Sequence, residues 1–95
     1  MPKLISASGH TLDLPAPPFR VGTDQVCEVP MQQGLGIAAI HFTVSLDEKG
    51  FVLEDGGSGL GTFLNGKAVK KERLLTGDCL RFGQIELRFE VAMEE

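Results

Sequence analysis

Several groups of residues in this sequence have the types and spacing that chemistry requires. Gly61-Thr62-Phe63-Leu64-Asn65-Gly66-Lys67 fits GxxxxGK, the start of a phosphate-cradling P-loop. That motif needs a hydroxyl at the next position to hold magnesium, and Ala68 has none. It also needs a strand before it and a helix after it, whereas Thr62-Phe63-Leu64 reads as a strand inside the supposed loop. Gly57-Ser58-Gly59-Leu60-Gly61 is glycine-rich but lacks the strand–turn–helix frame of a dinucleotide site, so it reads as a tightly turning loop. His41 could act as a base for Ser45 or Ser58, but neither serine lies in a nucleophile elbow and no acid is spaced to orient the ring. Cys27 and Cys79, even with His10 and His41, show no paired zinc-ligand spacing. Asp47-Glu48 and Glu94-Glu95 fall in a turn and a tail, where solvation accounts for them. Lys67, Lys70, Lys71 and Arg73 form the only basic cluster, either a solvated hairpin rim or a small docking patch for an acidic partner. The expectation is a protein that is not an enzyme and takes no cofactor and no metal.

The elements that position these residues fit in one domain. The chain has 95 residues, which bounds it to a single domain over 1–95 with a core over about 4–91. Hydrophobic residues are 42% and charged residues 23%, a globular balance that argues against disorder. The net charge of −4 disfavours nucleic acid, whose affinity for proteins comes mostly from positive charge. The longest uncharged run, Val29 to Leu46, is broken by Pro30, Gly34 and Gly36 and is too polar to span a bilayer. Met-Pro-Lys-Leu-Ile-Ser has no apolar signal-peptide core. Both cysteines sit in apolar, strand-like surroundings and are expected as reduced, buried thiols. The setting expected is cytoplasmic, including the cytoplasmic part of a membrane protein, with no direct membrane contact by this segment.

No 3.6-residue apolar stripe persists for more than two turns, and period-2 alternation recurs instead. Phe42, Val44 and Leu46 share one strand face. Asp47-Glu48-Lys49-Gly50 turns the chain into Phe51-Val52-Leu53-Glu54, which completes a hairpin. Thr62-Phe63-Leu64 ends at Asn65-Gly66, the strongest two-residue hairpin signal. Leu80-Arg81-Phe82, Gly83-Gln84 and the run from Ile85 to Val91 form a last hairpin, with Ile85, Leu87, Phe89 and Val91 inward. Pro15, Pro17 and Pro18 mark a loop or an edge. Met31 to Ala39 is a long loop. The pattern predicts an all-β protein, an antiparallel β-sandwich of about 10–11 short strands.

The order of these features resembles the forkhead-associated (FHA) domain, a β-sandwich that binds phosphothreonine peptides with loops at one end. Phe19-Arg20-Val21-Gly22 matches the family's first hydrophobic strand, and Ala38-Ala39-Ile40-His41 sits at its Ser-Arg-x-His segment. Asp55-Gly56-Gly57-Ser58-Gly59-Leu60-Gly61-Thr62 holds the Asp-x-x-Ser-x-Asn-Gly-Thr segment, and Asn65-Gly66 follows it. Leu74-Leu75-Thr76-Gly77-Asp78 and Cys79-Leu80-Arg81-Phe82-Gly83 complete the series. The resemblance implies scaffold roles for Gly22, His41, Ser58, Gly61, Thr62, Asn65, Gly66, Gly77 and Asp78, the last two forming a second hairpin turn.

The departures fall on the ligand loops. Thr23 stands where the family has arginine, Ala38 and Ala39 where it has serine and arginine, and Leu60 where it has asparagine. A phosphothreonine carries nearly two negative charges, and each ionic hydrogen bond to it contributes on the order of 1.5–3 kcal/mol. Losing two guanidinium groups, a hydroxyl and an amide removes about 5 kcal/mol or more, a few thousand-fold in affinity. Leu35, Ile37, Ala38, Ala39 and Leu60 either form a small apolar patch or pack inward. The resemblance implies a degenerate module that contacts another protein, or a further domain of its own chain, without phosphate. Phosphate-blind modules of this kind occur in the cytoplasmic rings of bacterial type III secretion systems, within a single-pass inner-membrane protein, and others serve bacterial signalling. The alternative is a phosphopeptide reader with relocated cations drawn from Arg20, Lys67, Lys70 or Arg73.

Overall fold

A computed structural model of the chain describes residues 2–6, 8–34, 36–57, 59 and 61–91. These form eleven strands: β1 (Pro2–Ser6), β2 (Thr11–Asp13), β3 (Phe19–Gly22), β4 (Val29–Pro30), β5 (Phe42–Asp47), β6 (Gly50–Asp55), β7 (Thr62–Leu64), β8 (Lys67–Val69), β9 (Lys71–Leu74), β10 (Cys79–Phe82) and β11 (Ile85–Val91). One sheet has the order β2-β1-β11-β10-β7-β8 and the other β4-β3-β5-β6-β9. The pairs are antiparallel except β3 with β4, which run parallel. Among the described residues no helix is long and apolar enough to cross a membrane.

Alternation decides which side chains meet between the sheets. Phe42, Val44 and Leu53 from one sheet and Leu4, Leu80, Phe82 and Phe89 from the other are at most 2% exposed. Burying each such side chain contributes about 1.5–3 kcal/mol. Aromatic rings bridge the sheets edge to face: Phe42 meets Phe82 at 4.9 Å and Phe51 meets Phe89 at 5.4 Å between centroids. Ile85, Leu87 and Val91 pack against this core as the period-2 pattern requires. Leu46 shares the face of Phe42 and Val44 but overruns the core's end and is 55% exposed.

The turns follow their residue types. Asn65 and Gly66 both take positive φ, 54° and 83°, as a two-residue hairpin demands. Prolines 15, 17 and 18 lie between β2 and β3, outside the strands, and the Pro17–Pro18 peptide is cis. Gly77-Asp78 does not close a hairpin: it joins β9 in one sheet to β10 in the other. The expectation of a second hairpin there fails because the chain crosses between layers, which local turn chemistry does not encode. Cys27 is buried as expected, but Cys79 is exposed. Leu80 and Phe82 take the inward positions of β10, so Cys79 and Arg81 face out.

Candidate functional site

The loops that follow β3, precede β5, follow β6 and precede β7 gather at one end of the sandwich. Their meeting point is the segment 38–41. The Ala38 and Ala39 carbonyls accept the Thr23 and Asp24 N–H groups, both at 3.1 Å. The Ala39 carbonyl also accepts the Cys27 thiol at 3.2 Å, and burial raises that thiol's pKa. The His41 N–H donates to the Val21 carbonyl at 2.8 Å, and the Gly56 N–H to the His41 carbonyl at 2.9 Å. Two glycines admit the segment. A Cβ on Gly22 would lie 2.1 Å from the Ala39 oxygen, and one on Gly56 would lie 2.7 Å from the Ile40 oxygen.

His41 is fully buried. Its Nδ1 accepts the Ala38 N–H at 3.1 Å, so the ring proton sits on Nε2 and is donated to the Gly61 carbonyl at 2.9 Å. A neutral imidazole therefore links the loop before β5 to the one before β7. Beside it, the buried Thr62 hydroxyl donates to Asp55 Oδ1 at 2.7 Å, and Asp55 Oδ2 accepts the Gly57 N–H at 3.0 Å. These contacts brace the loops against one another. Among the described residues no group of His, Cys, Asp and Glu could hold a metal.

Gly22, Thr23, Ala38, Ala39, His41, Gly61 and Thr62 thus come together, while Ser58 and Leu60 lie outside the described residues. Asn65, Gly66, Gly77 and Asp78 sit at the opposite end. There Asn65 Nδ2 donates to Asp78 Oδ1 at 3.0 Å, and the Cys79 N–H donates to Asn65 Oδ1 at 3.0 Å, tying a hairpin turn to the crossing between sheets. Ile37 packs against the core, Ala38 is half-buried and Ala39 is exposed. Leu35, the remaining member of the expected patch, lies outside the described residues.

The cations are distributed otherwise than their sequence clustering suggests. Arg20 donates to both Glu28 oxygens, at 3.1 and 2.8 Å, and Glu28 Oε1 also accepts the Arg20 N–H at 2.9 Å. Arg73 is held in the same forked way by Asp47, at 2.7 and 3.2 Å, at the end of β5 far from His41. Lys67 flanks the Asn65-Gly66 turn at that far end. Lys70 alone of the four borders the glycine-rich loop, where Asp55, Gly57, Gly59, Gly61, Ala68 and Val69 complete a concavity of about 510 Å³. The Arg20–Glu28 pair was not legible in the sequence, because the parallel pairing of β3 with β4 that aligns them has no local signal.

Hydrogen bonds from the Arg20 side chain and backbone hold the Glu28 carboxyl down at about 2. A carboxylate depressed in the folded state adds stability above its ordinary pKa of 4.5, and that contribution disappears as pH falls toward 2. The Glu28→Gln variant is expected to lose less stability than the parent between pH 4.5 and 2 in urea melts, and parallel losses would show that the pair is not formed.

The family model described as the cytoplasmic domain of an inner-membrane component of the type III secretion system (T3SS), Yop-YscD type, matches residues 6–93. The chain belongs to this family. The chain has an FHA fold, and many solved FHA domains match it. The FhaA FHA domain, solved with the intracellular domain of Rv3910, is 25% identical, with TM-score 0.81, covering 95% of this chain and all of that one. The FHA domain of CT664 from Chlamydia trachomatis is 18% identical, with TM-score 0.81, covering 97% and 96%. The N-terminal FHA domain of Rad53p from S. cerevisiae, solved with a phosphothreonine peptide, is 22% identical, with TM-score 0.83, covering 96% and 93%. No curated protein matches the chain at a significant level.

Proposed function

We propose that this chain is a protein-interaction module, the cytoplasmic part of a secretion-system membrane component, whose loop end binds without phosphate. One observation carries the reading: the loop end presents Thr23, Ala38 and Ala39, while Arg20 beside it is forked onto Glu28. Capturing a phosphate there would mean breaking that pair and stranding a carboxylate near the dianion. Asp24 and Asp55 add negative charge at the same end, against which Lys70 is a single ammonium on a flexible stem. The groups that remain, the exposed Ala39, the half-buried Ile40 and the 53% exposed Val26, suit an apolar protein contact. The partner is another protein or a further domain of the same chain. The His41 and Thr62 braces serve to hold a shaped surface rather than to react.

The test is a titration of ¹⁵N-labelled protein with a phosphothreonine peptide pool against the unphosphorylated pool. Millimolar peptide is expected to give no phosphate-specific shifts. Shifts confined to the phosphorylated pool and clustered at residues 22–24, 36–41 and 61–62 would overturn the reading, and their loss in Lys70→Ala would name the substitute cation. Conversely, the joint change Thr23→Arg, Ala38→Ser, Ala39→Arg and Leu60→Asn is expected to raise phosphothreonine affinity by about a thousand-fold, from the charge-assisted bonds it restores.

A further inference from the structure

β2 ends the six-stranded sheet, and its residues Thr11, Leu12 and Asp13 are all exposed. Its ladder partner is β1, with Ile5 opposite Thr11, Leu4 opposite Leu12 and Lys3 opposite Asp13. In the turn between them, the Ser6 N–H donates to the His10 carbonyl at 2.8 Å. Antiparallel ladders alternate hydrogen-bonded and non-bonded pairs. With Ser6–His10 bonded, Leu4–Leu12 is bonded, and the pairs at Thr11 and Asp13 are not. The N–H and C=O groups of Thr11 and Asp13 therefore point away from β1. They stand two residues apart, the spacing at which a further strand docks.

We propose that this edge pairs with a second copy of the chain, β2 against β2, across a two-fold axis normal to the sheet. Thr11-Leu12-Asp13 is self-complementary in that register. Leu12 meets the partner's Leu12 on the axis, and each Thr11 faces the partner's Asp13. Both members of the Thr11–Asp13 pairs present outward backbone groups, so each pair can exchange two hydrogen bonds. The Thr11 hydroxyl can donate to the opposing carboxylate, and the two Asp13 carboxylates fall at opposite ends, each beside its own chain's Lys3. Leu12 lies on the core face with Leu4 yet stays 40% exposed, and a non-bonded cross-strand pair would cover it. The edge has no lysine, proline or bulge within 11–13, and its one charge, Asp13, faces the partner's Thr11 in this register. Leu14 turns into the core, which limits pairing to three residues per chain and places the interface in the small, weak class.

Sedimentation and amide hydrogen exchange, followed from tens of micromolar to about 1 mM, test this on the intact chain. A reversible dimer is expected, with exchange at Thr11 and Asp13 slowing as concentration rises. Leu12→Lys and Thr11→Pro are each expected to abolish the dimer. The Thr11 N–H is not used within the chain, so the proline removes only the outward donor, and Leu12→Lys keeps the test open if the proline disturbs the strand. A monomer at 1 mM overturns the proposal, as does a dimer that leaves exchange at residues 11 and 13 unchanged or that survives Leu12→Lys. None of these outcomes depends on whether the loop end binds phosphate.

Discussion

Gly22→Ala is expected to destabilise the protein by about 3–5 kcal/mol, far more than an added methyl usually costs. Gly22 has no positive φ, so backbone strain is not the cause. The cause is collision with main chain: the new Cβ would sit 2.1 Å from the Ala39 oxygen, 2.7 Å from its carbonyl carbon and 2.9 Å from Ile40 Cα. No rotamer relieves that contact. The segment 38–41 must move, and it cannot retreat freely, because Gly56 meets it from the other side. Moving it breaks the bonds from Thr23, Asp24 and Cys27 to the Ala38 and Ala39 carbonyls. Overpacking costs about 1–3 kcal/mol and the two lost backbone hydrogen bonds about 1 kcal/mol each, which sets the range, the thiol being a weak donor that adds little. Gly9→Ala is the control: its φ is +92° and nothing lies within 4 Å of the added Cβ, so only backbone strain of about 1 kcal/mol should appear. Equal losses for the two variants in urea melts would show that segment 38–41 yields and that Gly22 does not clamp it.

This clamp illustrates what the sequence can and cannot reveal. Alternation placed Phe42, Val44, Phe82 and Phe89 inside, because side-chain direction along a strand is local. Asn65-Gly66, Gly50 and Gly83 marked turns, because positive φ selects residue type. The same alternation, applied to Leu80 and Phe82, already implied that Cys79 faces out; its apolar neighbours misled because they line the opposite face. The rest needed the tertiary fold. Gly22 looks like any other glycine until the loop before β5 is laid against it. Arg20 looks free until the parallel pairing of β3 with β4 brings up Glu28. Lys67, Lys70 and Arg73 look like one patch, yet the hairpin at Asn65-Gly66 and the crossing at Lys70 send them to different parts of the molecule.

His41→Ala is expected to cost about 3 kcal/mol and to loosen two loops at once. The ring is fully buried, with its centroid 5.7 Å from that of Phe82 and 6.4 Å from that of Phe42. Truncation opens a cavity there, leaves the Ala38 N–H without its acceptor and removes the ring's bond to the Gly61 carbonyl. His41→Phe separates the two effects. It keeps an aromatic ring against Phe82 but can neither accept from Ala38 nor donate to Gly61, so it should recover the packing part and leave the loops unlinked. Amide exchange then reports the link directly: Ala38 should speed up in both variants, whatever the melting midpoint does. Thr62→Val supplies the comparison on the neighbouring brace, since it removes the Thr62–Asp55 bond and leaves the imidazole in place. Exchange at Ala38 should stay slow there if His41 carries the coupling. An Ala38 amide as protected in His41→Ala as in the parent would mean that the backbone bonds at Thr23 and Asp24 hold the loop end alone, and the imidazole would be a packing residue only. The distinction bears on the proposed function, because affinity for any protein partner at that end depends on how rigidly it is held.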